Sequence, residues 1–147
     1  MLEYRTLTFM QTIQSLGHED AQKAISAIQS ELERREKAAV IAVADAHGEL
    51  IALLKLDGAA QASILIASNK AWTAARERKP SREIGQAARD GKDGFDLAYF
   101  GDKRYIGWGG GLPVTMGGNV VGAVAVSGLP ELEDIELAEI GVKAIKG

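Results

Sequence analysis

The stretch from Gly107 to Gly128, GWGGGLPVTMGGNVVGAVAVSG, holds eight of the 17 glycines in this chain of 147 residues. Glycine-rich loops cradle phosphate groups in nucleotide enzymes, so this stretch is the first place to look for chemistry. The dinucleotide spacing G-x-G-x-x-G fails in both registers, because its third glycine is replaced by Leu112 or Val114. A P-loop needs Lys and then Ser or Thr after its second glycine, whereas alanine and valine follow Gly122. The sequence therefore predicts no nucleotide cofactor.

The same stretch divides into two parts with different roles. Gly117 and Gly118 separate two apolar runs and are typical of a hairpin turn, because Gly-Gly-Asn readily takes positive φ. A run of three glycines precedes Leu112, which is more glycine than a connection needs. Without side chains, this run would let a ligand or another backbone come close. The predicted ligand-binding residues in this part are Gly109, Gly110 and Gly111.

Lys70 is the one charged residue in an apolar part of a predicted helix, with Ile66 and Trp72 among its neighbours. Two interpretations are open: the side chain extends along the helix to reach water, or the cation faces a ligand pocket. The chain offers no Ser-His-Asp grouping and no carboxylate pair at informative spacing. An acid or base to accompany Lys70 in an enzyme therefore cannot be identified from the sequence.

Composition excludes several classes of protein. There is no cysteine, so disulfides, thiolate metal sites and cysteine nucleophiles are excluded, and the two histidines, His18 and His47, are too few for a multi-histidine zinc site. The net charge of −3 is unfavourable for binding nucleic acid or an anionic membrane. Glu3 and Arg5 interrupt any signal-peptide core, and no apolar run approaches the ~20 residues of a membrane span. We expect a cytoplasmic protein without nucleic-acid or membrane partners.

Hydrophobic periodicity and turn residues predict an α+β fold in one domain, residues 1–147. Five strands joined mostly by short hairpins require an antiparallel sheet, and the helices can cover both of its faces in three layers. Residues 1–14 are predicted as either an extra strand or an arm that packs on a neighbouring subunit. The predicted helices are 18–37, 59–78, 81–90 with Ser81 as N-cap, and a last one after Pro130. The predicted strands are 38–44, 49–56, 104–108, 112–116 and 120–127.

Several segments taken together resemble a known family, the GlcG/HbpS family of haem-degrading or PduO C-terminal-like domains. The resemblance covers about residues 15–146, with the motifs in the family's order, and it implies a profilin-like three-layer fold around a five-stranded antiparallel sheet. The segments that carry it are VIAVADAHGELIALLKLDGA from Val40, SNKAWTAA from Ser68, GGGLPV from Gly109, NVVGAVAVSG from Asn119, and the acidic start of the last helix around Asp134.

The resemblance also implies function. Some members of the family bind haem and are described as degrading it, and members form dimers that build hexamers or octamers. A histidine near the start of the first helix serves as haem ligand in the family, which makes His18 the candidate iron ligand here. Lys70, Arg76 or Arg104 would meet the haem propionates, and Pro113 joins the ligand-binding glycines as part of the family-like segment. His47 falls in a turn and is predicted to be a surface residue.

Three hypotheses remain open from the sequence. The first is a small-molecule-binding protein with haem as its ligand and haem breakdown as its activity. The second is a cofactor-free enzyme acting on a small organic acid or carbonyl compound, with Lys70 over a pocket floored by 109–111. The third is a homo-oligomeric accessory protein of a metabolic operon without an active site, whose mark would be exposed apolar surface.

Overall fold

The fold consists of four α-helices and four strands in the described part of the chain, residues 9–147 of a computed structural model. The helices are α1 (His18–Arg34), α2 (Ala62–Glu77), α3 (Ser81–Ala88) and α4 (Glu131–Lys146), with a short 3-10 helix at Leu97–Phe100. The strands are β1 (Val40–Ala44), β2 (Leu50–Lys55), β3 (Gly111–Met116) and β4 (Asn119–Ser127).

The strands form a single antiparallel sheet in the order β2-β1-β4-β3. Strand β1 lies between β2 and β4 and is buried at every position, which confirms its prediction as a central strand. Strand β3 lies at one edge of the sheet. Gly117 and Gly118 close the β3–β4 hairpin with φ values of 56° and 83°, and Gly48 closes the β1–β2 turn with φ 89°, as the glycines predict.

The two faces of the sheet carry different side chains. Because side chains alternate along a strand, Ile41 and Val43 of β1 point to one face while Val40 and Ala42 point to the other. Large aliphatic residues such as Ile28 of α1 fill the first face, and α1 and α4 cover it. Alanines dominate the second face on both the sheet and α2, so α2 packs close to the strands. Helices therefore flank the antiparallel sheet, which confirms the α+β class.

The prediction of five strands is wrong: residues 104–108 are irregular, with a turn at Arg104 and a bend at Trp108, and the described residues form a sheet of four. The segment lies across α2, where its backbone groups bind a side chain rather than a strand. Thr73 Oγ1 donates to Arg104 O at 3.2 Å and accepts from Ile106 N at 3.1 Å. The apolar and aromatic residues that suggested a strand serve this docking instead, since the Tyr105 ring packs edge-on against Trp72 with ring centroids 4.8 Å apart.

Ser81 does not cap α3 as predicted. It is the first residue of the helix, Pro80 occupies the N-cap position, and no side-chain cap is formed. The Ser81 hydroxyl is fully buried, where it donates to Trp108 O at 2.8 Å and accepts from Gly111 N at 3.0 Å. The serine predicted as a helix cap therefore binds the backbone at both ends of the three consecutive glycines Gly109 to Gly111, called the triple glycine below.

The predicted role of residues 1–14 as a strand or arm falls partly outside the described residues, since the description begins at Phe9. Residues 9–14 form no strand and are exposed, Phe9 at 96%. Ser15 and Leu16 hold the chain to the sheet: Ser15 Oγ accepts from Ala46 N at 2.9 Å, and Leu16 N donates to Val121 O at 2.9 Å. In the range 9–147 no helix combines the length and apolar character that crossing a membrane requires.

Candidate functional site

Lys70 is buried near the middle of α2, with 2% of its surface exposed. Its Nζ donates to Val126 O, near the end of β4, at 3.0 Å and to Asp134 Oδ2, in the first turn of α4, at 3.1 Å. The interpretation in which Lys70 extends out to water is therefore wrong. The side chain turns inward because a backbone carbonyl and a carboxylate are both within its reach.

Asp134 completes a buried ion pair with Lys70, since it too is 2% exposed. Its second oxygen, Oδ1, accepts from Leu129 N at 3.1 Å. Burial lowers the pKa of Lys70 below its usual value, and the Asp134 carboxylate opposes that shift. Burial likewise raises the pKa of Asp134, opposed by Lys70. Both groups lie closer to neutrality than they would in water, which is the condition under which an amine acts as a nucleophile and a carboxyl as an acid.

The triple glycine makes room for this ion pair. A Cβ on Gly110, whose φ is +124°, would lie 2.8 Å from Lys70 Nζ and 2.5 Å from Val126 O. A Cβ on Gly111 would lie 2.3 Å from Lys70 O. The glycines are therefore sites of close approach, and the atoms that approach Gly110 and Gly111 belong to α2 and β4 of the same chain.

A cleft of about 340 Å³ opens beside the ion pair, and its walls come from four segments. Helix α2 contributes Lys70 and Ile66, the loop before β3 contributes Trp108 and Gly109, the end of β4 and the residues after it contribute Ser127 to Leu129, and α4 contributes Glu131 and Asp134. Trp108 is 59% exposed. Gly109 N donates to Glu131 Oε1 at 2.6 Å, which holds the loop to α4. The cleft combines one cation, two acidic residues and an aromatic wall.

Two serine hydroxyls in this cleft have no partner in the described part of the chain. Ser63 on α2 and Ser127 at the end of β4 line the cleft and are 5% and 4% exposed. Neither hydroxyl makes a hydrogen bond within residues 9–147, yet both oxygens remain in contact with solvent. Buried polar groups are normally hydrogen-bonded, so two unpartnered hydroxyls in one cleft indicate a place for a polar ligand or water.

The other predicted site residues do not line this cleft. His18 is the first residue of α1 and is exposed. Arg104 lies over the ring of Trp72, with Cζ 4.3 Å from the ring centroid, and its guanidinium pairs with Asp102 at 3.0 Å. Pro113 pairs with Ala123 in the edge strand β3. The structure therefore brings together only Lys70 and the triple glycine from the predicted set.

Sequence reasoning missed the partners of Lys70. The acidic start of the last helix suits the helix dipole, which hides the second role of Asp134, and nothing in the sequence distinguishes Ser63 and Ser127 from other serines. Asp134 lies 64 positions from Lys70, so no local spacing could reveal the pair. The only signal was the chemical rule that a lysine in an apolar helix face needs a carboxylate.

A cluster suited to a metal ion is not found among residues 9–147, where no group of three or more histidine or acidic side chains converges. Haem iron takes most of its ligands from the porphyrin and needs only one or two from the protein. The missing cluster therefore concerns metal ions that are held by several side chains, and not haem.

Comparison with known proteins places the whole arrangement in one family. A family model described as haem degrading protein HbpS-like matches residues 16–143. An uncharacterised 15.0 kDa protein from the dhaT-dhaS intergenic region of Citrobacter freundii is 34% identical over 119 residues, covering 81% of this chain and 84% of that protein. Protein GlcG of Escherichia coli K12 is 33% identical over 118 residues, covering 80% and 85%.

Solved structures share the fold. Klebsiella pneumoniae protein ORFY matches with a TM-score of 0.90 and 30% identity, covering 96% of this chain and 97% of that chain. A double mutant of Streptomyces reticuli HbpS matches with a TM-score of 0.80 and 27% identity, covering 92% and 89%. A complex of PduOC with haem matches with a TM-score of 0.82 and 22% identity, covering 90% and 95%, and at this identity the likeness concerns the fold alone.

Proposed function

We propose that this chain, which belongs to the HbpS-like family, binds haem and that His18 provides the axial ligand to the iron. The description of the family as haem-degrading supports haem as the ligand, and so does the structure of PduOC, a protein of the same fold, in complex with haem. The observation in this chain that carries the role of His18 is its open position. The imidazole is exposed at the start of α1 and makes no hydrogen bond within the described residues.

The surroundings of His18 suit haem better than the Lys70 cleft does. A haem site needs an axial ligand and apolar surface around the ring. Leu16 and Asp20, two positions either side of His18, line a cavity of about 500 Å³ together with Ile13, Met116 and Val121, although His18 itself is not one of the lining residues. The Lys70 cleft contains no histidine, methionine or tyrosine, and its cation is already paired with Asp134.

The predicted propionate partners are not assembled around His18 in one chain. Neither Lys70 nor Arg104 lines the cavity next to His18, and Arg76 lies over Trp72 with Cζ 4.8 Å from the ring centroid. We therefore propose that a neighbouring chain completes the haem site in a homo-oligomer, assembled from dimers into a hexamer or octamer. The exposed apolar side chains of Phe9 and Ile13, just before His18, support this arrangement.

Titration of the purified protein with haemin, followed by absorbance in the Soret region, tests the proposal. We expect a saturable band at one haem per chain in the wild type, and loss of that band in His18→Ala. His47→Ala is the matched control, because His47 is also exposed and lies in the β1–β2 turn. A band that persists in His18→Ala, or no saturable band in the wild type, would contradict the proposal.

We extend the proposal to haem breakdown, which the description of the family supports. Haem supplies a redox-active iron, and the chain would hold it through His18. With hydrogen peroxide as oxidant, we expect the Soret band of the complex to decay with release of iron to ferrozine, faster than for free haemin. Equal rates with and without protein would show binding without degradation. A profilin-like arrangement, a cytoplasmic location and a single domain remain predictions from the sequence.

A further inference from the structure

We propose that the cleft beside Lys70 binds a small, uncharged carbonyl compound and that the Lys70 amine condenses with its carbonyl carbon to form an imine. This site is separate from His18, and the proposal does not depend on haem binding. It assigns a ligand class to the only buried lysine in residues 9–147.

The hydrogen bonds of Lys70 orient its amine for this reaction. Apart from the bond to Cε, the nitrogen has three directions, and two of them are taken by Val126 O at 3.0 Å and Asp134 Oδ2 at 3.1 Å. When the amine is neutral, two N–H bonds satisfy these acceptors and the lone pair occupies the third direction. Lys70 lines the cleft, so a carbonyl carbon in the cleft can meet that lone pair. Burial lowers the pKa of Lys70 and so favours the neutral amine, as it does in known imine-forming lysines.

Ser63 and Ser127 provide the groups that would hold the carbonyl oxygen. Their hydroxyls line the same cleft and are unpartnered among the described residues. A carbonyl oxygen has two lone pairs and can accept from both hydroxyls at once. Exposed Trp108 and half-buried Ile66 give the ligand's carbon chain an apolar wall.

The charges in the cleft select a carbonyl compound over an organic acid. Lys70 is the only cation among the lining residues, and it is neutralised by Asp134. Glu131 adds a further negative charge at the same cleft, so a carboxylate ligand would be repelled. Between the two substrate classes left open by the sequence, the structure favours the uncharged one.

The step balances without an oxidant or reductant. The Nζ lone pair attacks the carbonyl carbon, and one of the two nitrogen protons passes through the Ser63 or Ser127 hydroxyl to the carbonyl oxygen, which gives a carbinolamine. Asp134 in its protonated form delivers the second proton, and the oxygen leaves as water while the C=N bond forms. The remaining nitrogen proton returns to Asp134, so the two protons lost by the nitrogen equal the two gained by the oxygen. Raised by burial, the pKa of Asp134 favours this role.

Reductive trapping tests the proposal on the full-length protein. The protein is incubated with propionaldehyde and cyanoborohydride near neutral pH, and peptide mapping by mass spectrometry measures propyl adducts at each lysine. Exposed Lys23 and Lys92 serve as internal references. We expect adducts at Lys70 to form severalfold faster than at the references, because burial lowers the pKa of Lys70 and leaves more of its amine neutral. Labelling of Lys70 at or below the rate of Lys23 would overturn the proposal.

Two further arms test the cleft itself. Replacing both hydroxyls, by Ser63→Ala with Ser127→Ala, should slow labelling of Lys70 severalfold without changing Lys23, and unchanged labelling of Lys70 would overturn the assigned position of the carbonyl. With succinic semialdehyde, an anionic aldehyde, the ratio of Lys70 to Lys23 labelling should fall. A higher ratio would overturn the uncharged ligand class. The wild-type measurement does not depend on any variant folding.

Discussion

At the scale of single residues, Lys70 and Asp134 form a buried ion pair, which is costly in free energy. Charges transferred from water to a protein interior lose several kcal/mol of hydration each, and their attraction only partly offsets that cost. Burial of the pair is therefore an expensive way to join α2 to α4. Nonpolar residues of similar size would join them as well, so the pair is better explained by chemistry in the adjoining cleft than by stability.

Asp134→Asn should destabilise the protein by about 3–5 kcal/mol near neutral pH, because it leaves a buried lysine without its counter-charge. The amide can still accept from Leu129 N, so only the charge is lost. Burial lowers the pKa of Lys70 in the folded protein below the ordinary lysine value of 10.5 that holds in the unfolded chain. Between these two pKa values the unfolded chain binds more protons than the folded protein does. The free energy of unfolding therefore rises with pH in this range. The deficit of the variant should therefore shrink as pH rises toward about 9.5.

Urea denaturation at a series of pH values measures this deficit. The double variant Lys70→Met with Asp134→Asn is the control, because it removes both titratable groups of the ion pair. Its stability relative to wild type should lack the rise with pH that the single variant shows. A deficit in Asp134→Asn that stays constant with pH would mean that Lys70 remains charged without its partner.

At the scale of elements, α2 contacts the sheet, α4 and the segment that precedes β3. Its alanine face packs on the sheet, Lys70 reaches to α4, and Thr73 binds the segment 104–106. The segment 104–108 has a strand-like composition but precedes β3, which begins at Gly111. The Thr73 hydroxyl on α2, instead of a neighbouring strand, binds its backbone. Helix packing rather than strand pairing therefore positions Trp108 at the cleft.

Thr73→Val should destabilise the protein by about 1–3 kcal/mol, because Ile106 N and Arg104 O lose their partner while the volume is kept. The loss should be local: hydrogen–deuterium exchange at residues 104–108 should speed up more than exchange in β1 or β4. Thr73→Ser keeps the hydroxyl and is the matched control. Uniformly faster exchange in Thr73→Val would show a global effect instead.

Ion pairs join the end of α1 to the start of α4. Glu31 accepts from Arg34 and Arg35, and Arg35 also binds Glu133, at 3.1 Å, and Glu136. The hydrogen bond from Arg34 and that from Arg35 lower the pKa of Glu31 to about 2. A carboxyl whose folded pKa lies below its unfolded value stabilises the fold above the unfolded pKa, and that contribution is lost as pH falls.

The stability difference between wild type and Glu31→Gln should therefore be constant above about pH 5 and should vanish as pH falls from 4.5 toward about 2. Urea midpoints across this range measure it. Glu139→Gln, at an exposed position of α4 without an ion pair in the described residues, is the control and should show no such trend. A difference that persists at the lowest pH would mean that Glu31 acts through packing rather than charge.

At the scale of the whole molecule, several large apolar side chains among residues 9–147 are exposed. Phe9 and Ile13 precede α1, Leu65 and Leu132 lie near the starts of α2 and α4, and Tyr99 extends from the 3-10 helix at 85% exposure. Exposed apolar residues that lie close together, as Phe9 and Ile13 do in the sequence, are typical of association surfaces, whereas single ones are ordinary. They agree with the assembly proposed for haem binding.

Mass photometry should show particles of six or eight times the 15.6 kDa of one chain. If residues 9–14 pack on a neighbour, Phe9→Ser combined with Ile13→Ser should shift the particles to smaller species. Tyr99→Ser is the matched control, since Tyr99 is exposed to a similar degree as Phe9 but lies elsewhere. A monomeric wild type would contradict the proposed oligomer, and an unchanged particle in the arm variant would remove the arm from the interface.

The amino-acid sequence alone was enough to predict the class of the fold and most of its elements. Periodicity, turn glycines and the break before Ser81 located the four helices and the four observed strands of the described residues, because these signals act over a few residues. The lack of cysteine argued against disulfides and thiolate metal sites, and the failed glycine patterns argued against nucleotide-binding loops. Both conclusions depend only on which residues occur and on their spacing. The motifs spread from Val40 to Asp134 also identified the family, since they are read from residue order without knowledge of the fold.

Tertiary contacts, in contrast, were needed to learn where Lys70 points and what the triple glycine is for. The ion pair joins residues 64 positions apart, and the cleft draws its hydroxyls from α2 and from β4. The strand predicted at 104–108 failed because its hydrogen-bond partner, Thr73, is a side chain on a helix rather than a neighbouring strand. Local patterns indicate which secondary structure a segment can form. Which residues it then contacts depends on how elements that are distant in the chain pack together.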